Sequence, residues 1–217
     1  MTPPHPKKLL VEGADDQRVI PYLIEAACDL RWGERNEPKL VDVEPIGGIE
    51  NLLKPGLIEA EMNASGRLAL GLLVDADERP LERWKQVRGC CIRFCPDFPE
   101  VPPKEGLVLM SERSVRLGVW MMPDNQDRGM LETFLAVMRP VESDSLWQHA
   151  NAACIQAASL RARFKDAHRD KALLHTWLSW QDPPGRQLHE AIKFKVLSRE
   201  TPHSICFVTW FRRLFEV

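Results

Sequence analysis

The chain has 217 residues, of which 44% are apolar and 28% are charged, and its formal net charge is −2. This composition is typical of a globular protein with a sizeable core and excludes a disordered chain. No apolar run approaches the ~20 residues of a membrane span, and the N-terminal MTPPHPKK lacks the apolar stretch of a signal peptide. We therefore expect a cytoplasmic protein with no membrane partner and with reduced cysteines.

Strands and helices alternate along the first part of the chain. Leu9–Val11 predicts a strand, which is followed by the loop EGADD and by apolar residues at helical spacing. KLVDVEPIGG predicts a second strand, and IENLLKPGLIEAEM a second helix. The apolar run Leu68–Val74 is typical of a parallel strand that is covered on both faces, and it ends in Asp75-Ala76-Asp77.

The later part of the chain is mainly helical. A helix is expected around Leu81–Val87, whereas the Cys- and Pro-rich connection 89–106 has no clear pattern. GLVLM and VRLGVWMMPDN predict two strands, paired antiparallel at a sheet edge, and helical segments follow from Leu131 onward. We predict an α/β fold with a largely parallel sheet flanked by helices. Residues 1–140 would form the α/β domain, and residues 141–217 a helical C-terminal subdomain packed on it.

Carboxylates follow three of the predicted strands. Glu12 follows LLV, Asp75 and Asp77 follow LGLLV, and Asp124 follows GVWMMP. The carboxyl ends of parallel strands meet at one edge of the sheet, so these side chains should converge there. Asp75 and Asp77 should lie on one side of an extended segment and share a Mg²⁺ or Mn²⁺ ion. Glu12 would be a further ligand or a general base.

Gly13 fits the same site, because a residue without a side chain allows a sharp strand-to-helix turn and the close approach of a substrate phosphate. A structural reading stands beside the functional one. Acidic residues at such junctions often cap helices, and for Asp15 and Asp16 capping is the favoured role. Glu12 taken alone is as well explained by a structural role as by a functional one. The Asp-x-Asp motif one βα unit later favours the functional role.

LLVEG followed by LLVDAD resembles the TOPRIM domain of topoisomerases, primases and OLD-group nucleases, so the sheet is expected to be TOPRIM- or Rossmann-like. GVWMMPDNQDRGMLETFL and KALLHTWLSWQDPPGRQLHEAI resemble a family of small stand-alone TOPRIM-like bacterial proteins, and the likeness covers most of the chain. The resemblance implies that Glu12 corresponds to the TOPRIM glutamate, and Asp75 and Asp77 to its metal-binding aspartates. It implies no particular substrate.

Asp124 and Glu132 are candidates for binding a second metal ion, which would suit phosphodiester cleavage. Glu132 is predicted in the first turn of a helix, where the helix dipole favours an acidic residue, so capping is the alternative. Lys171 could pair with a scissile phosphate, although a lysine that opens an amphipathic helix is more often simply solvated. Trp177 and Trp180 are expected in the core, with base stacking as the minority alternative.

The charge is unevenly distributed along the chain. Residues 151–217 carry 11 Lys and Arg against 6 Asp and Glu, which leaves the rest of the chain acidic. The basic part could contact phosphate through Lys171, Lys193 and Lys195, or both parts could be ordinary solvated surface. GxxxxGK[ST] is absent, which excludes a P-loop ATPase. Tyr22, the only tyrosine, lies on the first predicted helix, which argues against a topoisomerase.

The sequence therefore predicts a Mg²⁺- or Mn²⁺-dependent phosphoryl-transfer enzyme, and specifically a nuclease that cleaves DNA or RNA. The alternative is a non-catalytic TOPRIM module that binds metal and nucleic acid, or a partner protein, in a repair or defence complex. A homo-oligomer is compatible with either reading. The acidic residues favour the enzyme, whereas the small size and the lack of an evident nucleic-acid-binding domain favour the module.

Overall fold

Strands and helices alternate in the N-terminal part of the protein, and helices alone form the C-terminal part. The structure is a computed structural model that describes residues 4–28, 32–33 and 39–217. Its elements follow one another as β1 (Lys7–Val11), α1 (Ala14–Cys28), β2 (Asp42–Pro45), α2 (Ile49–Leu52), α3 (Leu57–Met62), β3 (Ala69–Asp75), α4 (Pro80–Cys91), β4 (Leu107–Met110), β5 (Arg116–Met122), α5 (Leu131–Ala136), α6 (Asp144–Ser159), α7 (Arg169–Leu178), α8 (Leu188–Lys193) and α9 (Pro202–Phe215).

The strands form one mostly parallel sheet. Within the described residues it has five strands in the order β2-β1-β3-β5-β4. β1 pairs in parallel with β2 and β3, and β3 pairs in parallel with β5. β4 runs antiparallel to β5 and lies at the edge of the sheet. The predicted α/β fold is thus confirmed, including the antiparallel pair at the edge.

Both faces of the sheet are buried, each in its own hydrophobic cluster. Because side chains alternate along a strand, Leu9 and Trp120 face one cluster and Leu10 and Met121 face the other. The first cluster lies under α1 and α5 to α9, and the second lies under α2, α3 and α4. This two-sided burial explains why β3 is apolar almost throughout.

Helix α9, which lies in the region predicted as helical but whose bounds were not predicted, covers the first face of the sheet. It contacts β3, β4 and β5. Gly71 and Gly118 lie beneath it, and a Cβ atom at Gly118 would be 2.5 Å from the Leu214 side chain. The two glycines therefore let this helix lie close to the sheet. Residues 141–217, which were predicted to form a separate helical subdomain, contribute side chains to the same first hydrophobic cluster as residues of the α/β domain.

The sequence analysis expected no membrane span and reduced cysteines, and both expectations can be compared with the described residues. None of the helices there has both the length and the apolar character that crossing a membrane requires. Cys90, Cys91, Cys95, Cys154 and Cys206 are free thiols. The side chain of Cys28 lies outside the described part of the chain.

Candidate functional site

A cleft of about 450 Å³ lies where β1 and β3 end. The turn after β1, the start of α1, the end of β3, the start of α5 and the start of α7 all contribute to it. Carboxylates dominate its lining, and the lysine of α7 is the cation among the lining residues. The residues that line the cleft are Glu12, Gly13, Ala14, Asp15, Asp16, Gly48, Asp75, Asp77, Met130, Leu131, Glu132, Ala167, His168 and Lys171.

The sequence-predicted pair Glu12 and Asp75 is brought together in this cleft. The parallel register of β1 and β3 aligns their ends, and Glu12 Oε1 accepts a hydrogen bond of 2.9 Å from the backbone N–H of Asp75. Burial raises the pKa of Glu12, although the N–H of Asp75 and the charge of Arg83 offset part of the effect. Glu12 is thus positioned by the backbone of the neighbouring strand.

Asp75 is a buried acid of the cleft, surrounded by other carboxylates. Its Oδ1 accepts a hydrogen bond of 3.1 Å from the backbone N–H of Leu131, the first residue of α5. Its pKa lies well above the ordinary value, first because of burial and then because of the negative charges of Asp16, Glu12 and Glu132. Asp75 therefore sits among carboxylates that repel its ionised form.

Asp16 belongs to the same group, and the sequence analysis assigned it only a capping role. Its Oδ2 does accept a hydrogen bond of 2.9 Å from the backbone N–H of Gly13, just before α1. However, Asp16 is only 7% exposed and lines the cleft. Burial, followed by the charges of Glu12 and Glu132, raises its pKa to about 7. Its helical spacing from the buried Ile20 would have indicated that it faces inward.

The buried Glu132 and the half-exposed Lys171 form an ion pair in the lining of the cleft. Glu132 is 4% exposed, and its Oε1 lies 3.0 Å from Lys171 Nζ. The same ammonium lies 3.1 Å from Asp15 Oδ2. Burial opposes the charge of Lys171, but the bonds to Glu132 and Asp15 outweigh burial and raise its pKa. Lys171 therefore stays charged in the cleft and bridges α1 and α5.

Asp77 departs from the predicted geometry. The segment is not extended there, because Asp77 has φ 52° and exchanges backbone hydrogen bonds with Gly129. Its carboxylate is held by the guanidinium of Arg83, which also donates from Nε to the carbonyl oxygen of Asp75 at 3.0 Å. The expectation of an extended segment at Asp77 is therefore wrong, although the side chains of Asp75 and Asp77 both line the cleft. Arg83 was not singled out from the sequence.

Asp124 does not line this cleft, contrary to the sequence prediction. It lies in a separate cavity with Trp120, His203 and Cys206, where its Oδ2 is 3.8 Å from His203 Nε2. Its Oδ1 accepts hydrogen bonds from backbone N–H groups of the turn that follows, and the bond from the N–H of Asp127 is 2.8 Å long. The residue thus stabilises the turn that follows β5 instead of facing the cleft.

Five further residues that the sequence analysis singled out have distinct positions. Gly13 lines the cleft, but it does not have the positive φ that would require glycine for the turn. Lys193 and Lys195 are exposed near the end of α8, outside the lining of the cleft. Trp177 is buried, as predicted, whereas Trp180 is 41% exposed, which corrects its predicted core position.

A family profile described as "Protein of unknown function (DUF3226)" matches residues 6–216. The chain belongs to the DUF3226 family. No curated protein and no solved structure matches it. The match covers the whole cleft, so the carboxylates of this DUF3226 protein lie within the part that defines the family.

In the cleft of this DUF3226 protein, the carboxylates form ion pairs and hydrogen bonds with other groups of the protein. Across the described ranges, no three or more His, Cys, Asp and Glu side chains are placed so that together they could hold a metal ion. Lys171, Arg83 and backbone N–H groups instead engage the carboxylate oxygens. Two cations face six lining carboxylates, so negative charge remains in excess. Such a site can attract a cation or exchange a proton near neutral pH.

Proposed function

We propose that the protein is a Mg²⁺- or Mn²⁺-dependent phosphoryl-transfer enzyme, a nuclease that acts on DNA or RNA in the cytoplasm. One observation carries the proposal: Glu12, Asp16 and Asp75 line one cleft at the carboxyl end of parallel strands, and burial among one another raises their pKa values. Burying like charges together is costly, and a bound divalent cation is the usual remedy. The edge where parallel strands end is also the usual ligand site of such sheets.

The donor set fits Mg²⁺ or Mn²⁺, because all candidate ligands are carboxylate oxygens, which hard divalent cations prefer. Glu12, Asp75 and Asp77 would hold the ion once their side chains move closer together, because as folded no three such groups of the described residues are placed to bind one. Glu132 and Asp16 lie in the same cleft to assist. When bound, the ion would neutralise part of this charge and polarise a phosphate oxygen of the substrate. The resemblance of LLVEG and LLVDAD to TOPRIM motifs supports the same assignment of Glu12, Asp75 and Asp77.

The chain's own groups supply the remaining chemistry in this proposal. Glu12, with a raised pKa, can accept a proton at Oε2 while Oε1 stays bonded to the N–H of Asp75. Lys171 offers its ammonium to a substrate phosphate, for which it must leave Asp15 or Glu132. Gly13 and Gly48 expose backbone in the lining, so a phosphate can approach closely.

A non-catalytic module that binds metal and nucleic acid, or a partner protein, is the second candidate. It is favoured by the ion pairs of the cleft, because Lys171 and Arg83 already hold three of the carboxylates. In that case the cations would stabilise the fold and no cleavage would occur. A cleavage assay separates the two functions.

The test is cleavage of labelled single- and double-stranded DNA and RNA in Mg²⁺, Mn²⁺ or EDTA. We expect metal-dependent cleavage by the wild type and at least a ~100-fold loss in Glu12→Gln, the order of effect of losing a general base. Glu142→Gln, an exposed glutamate outside the cleft lining, is the matched control. Wild type without cleavage of any of the four substrates, or Glu12→Gln with full activity, would contradict the enzymatic proposal.

A further inference from the structure

An exposed aromatic ring with cations packed on it lies at the end of α8. Phe194 is 53% exposed, although apolar side chains of this size are usually buried. The guanidinium of Arg186 lies 4.5 Å from the centre of its ring, and Lys193 Nζ lies 5.5 Å from it. Lys193 also lies 5.9 Å from the ring of Tyr22 on α1. Aromatic and cationic groups therefore meet on one exposed surface.

The cations of this surface have no acidic partner in the described part of the chain. Arg186, Lys193 and Lys195 form no ion pair there, whereas Lys171, Arg83 and Arg67 each do. Arg186 donates instead to the backbone carbonyl of Asp182 at 3.0 Å. The positive charge of this surface is thus left for a partner from outside.

A stripe of α1 connects this surface to the cleft. Asp15, Arg18 and Tyr22 are spaced three and four residues apart, so they lie on the same side of the helix. Asp15 lines the cleft, and Tyr22 packs against His189 of α8 with ring centres 5.3 Å apart. Seven residues of helix span about 10 Å, so the surface begins about that far from the carboxylates.

We infer that this surface, consisting of Arg186, Lys193, Phe194 and Lys195, binds a single-stranded nucleic acid and leads it along Arg18 and Tyr22 to the cleft. The inference rests on the proposed function in taking nucleic acid as the ligand, and it adds the class of substrate. A single strand offers unstacked bases to Phe194 and phosphates to the three cations, whereas a duplex hides its base faces. The six carboxylates of the cleft repel phosphate, so affinity must come from outside the cleft.

The test measures binding of a fluorescently labelled oligothymidylate by anisotropy, at low salt and in EDTA, so that no metal contributes. Phe194→Leu keeps an apolar side chain but removes the stacking face, and we expect about 5- to 100-fold weaker binding. Lys193→Gln together with Lys195→Gln should make the salt dependence shallower by about 0.7 for each phosphate that these lysines neutralise in the wild type. A labelled hairpin duplex should bind more weakly than the single strand and be insensitive to Phe194→Leu.

Matched controls are Trp180→Leu, another exposed aromatic, and Lys85→Gln, an exposed lysine of α4. Both should bind the oligothymidylate like the wild type. Undetectable wild-type binding, or wild-type affinity in both the Phe194 and the lysine variants, would overturn the inference. Displacement of the strand by an equimolar acidic peptide would likewise overturn it in favour of a protein partner. Binding retained without cleavage would instead contradict only the proposed function.

Discussion

Two groups of partly buried charged side chains lie at different places on the same sheet, and they are balanced differently. Near the start of β1, Lys8 lies 2.7 Å from Glu61, and it also pairs with Glu44, while Arg67 pairs with Glu61. Two cations thus meet two carboxylates. In the cleft at the other end of β1, Lys171 and Arg83 meet six carboxylates.

The pKa values reflect this difference. Burial lowers the pKa of Lys8, but its hydrogen bonds to Glu44 and Glu61 outweigh burial and raise it, so this lysine remains charged. In the cleft, burial and neighbouring negative charges raise the pKa values of Asp16 and Asp75 instead. The balanced group is what a fold needs for stability. The unbalanced group costs stability and is the kind that occurs at functional sites.

The largest expected effect comes from breaking the balanced group. Arg67→Met removes a guanidinium whose side chain is 1% exposed and leaves Glu61 without this partner. We expect a loss of about 2–3 kcal/mol in the free energy of unfolding, because the carbonyl oxygens of His5 and Glu61 lose their donor while Glu61 keeps its pair with Lys8. Urea denaturation measures this loss. A loss below about 1 kcal/mol would show that the charges near the start of β1 are solvated and do not stabilise the fold, which would contradict the contrast with the cleft.

A smaller effect of opposite sign is expected from Asp75→Asn in the cleft. Asparagine can still accept the hydrogen bond from the N–H of Leu131, but it carries no charge. In EDTA at pH 8 the variant should be more stable than the wild type by about 1–2 kcal/mol, because a repelled carboxylate is removed. Asp124→Asn, which lies outside the cleft lining, is the control and should gain nothing. A destabilised Asp75→Asn variant would mean that the charge is compensated.

The pH dependence of stability gives a graded test. The folded protein keeps the proton of Asp16 up to about pH 7, whereas the unfolded chain loses it near pH 4. The unfolded state therefore binds fewer protons between these values, and the free energy of unfolding falls as pH rises, by up to about 1.4 kcal/mol per pH unit. This contribution is fully present below pH ~4 and is lost above pH ~7.

Asp16→Asn removes this group, and the difference between wild type and variant isolates its contribution. Urea denaturation in EDTA at a series of pH values should show a steeper fall for the wild type than for the variant. Parallel curves for the two proteins would mean that Asp16 has an ordinary pKa and that the cleft is not an unbalanced site.

Much of the sheet could be predicted from the sequence, because apolar runs and alternation are local signals. The run that ends at Asp75 and the antiparallel pair at the edge are examples. Helix α9 lies in the region predicted as helical, but its bounds were not predicted, although Thr201 and Pro202 form a typical helix start and Thr201 Oγ1 accepts a hydrogen bond from the N–H of Ser204. Its apolar residues cover the sheet around Gly71 and Gly118, and such packing partners cannot be identified from periodicity.

The candidate site was only partly predictable for the same reason. That Glu12 and Asp75 meet follows from parallel strand order. The left-handed backbone at Asp77 and the turn that directs Asp124 into another cavity depend on contacts with distant residues. Asp16 could have been recognised, since the periodicity that buries Ile20 also places Asp16 on the inner side of α1.

The most direct test of the unbalanced cleft is calorimetric titration of the metal-free protein with Mn²⁺ at pH 7.5. The wild type should show saturable binding that is lost in Asp75→Asn with Asp77→Asn and retained in Asp124→Asn. The same ion should raise the melting temperature of the wild type and of Asp124→Asn only, because it binds the folded state. No saturable binding by the wild type, or equal binding by the double variant, would contradict the assignment of the cleft as a divalent-cation site.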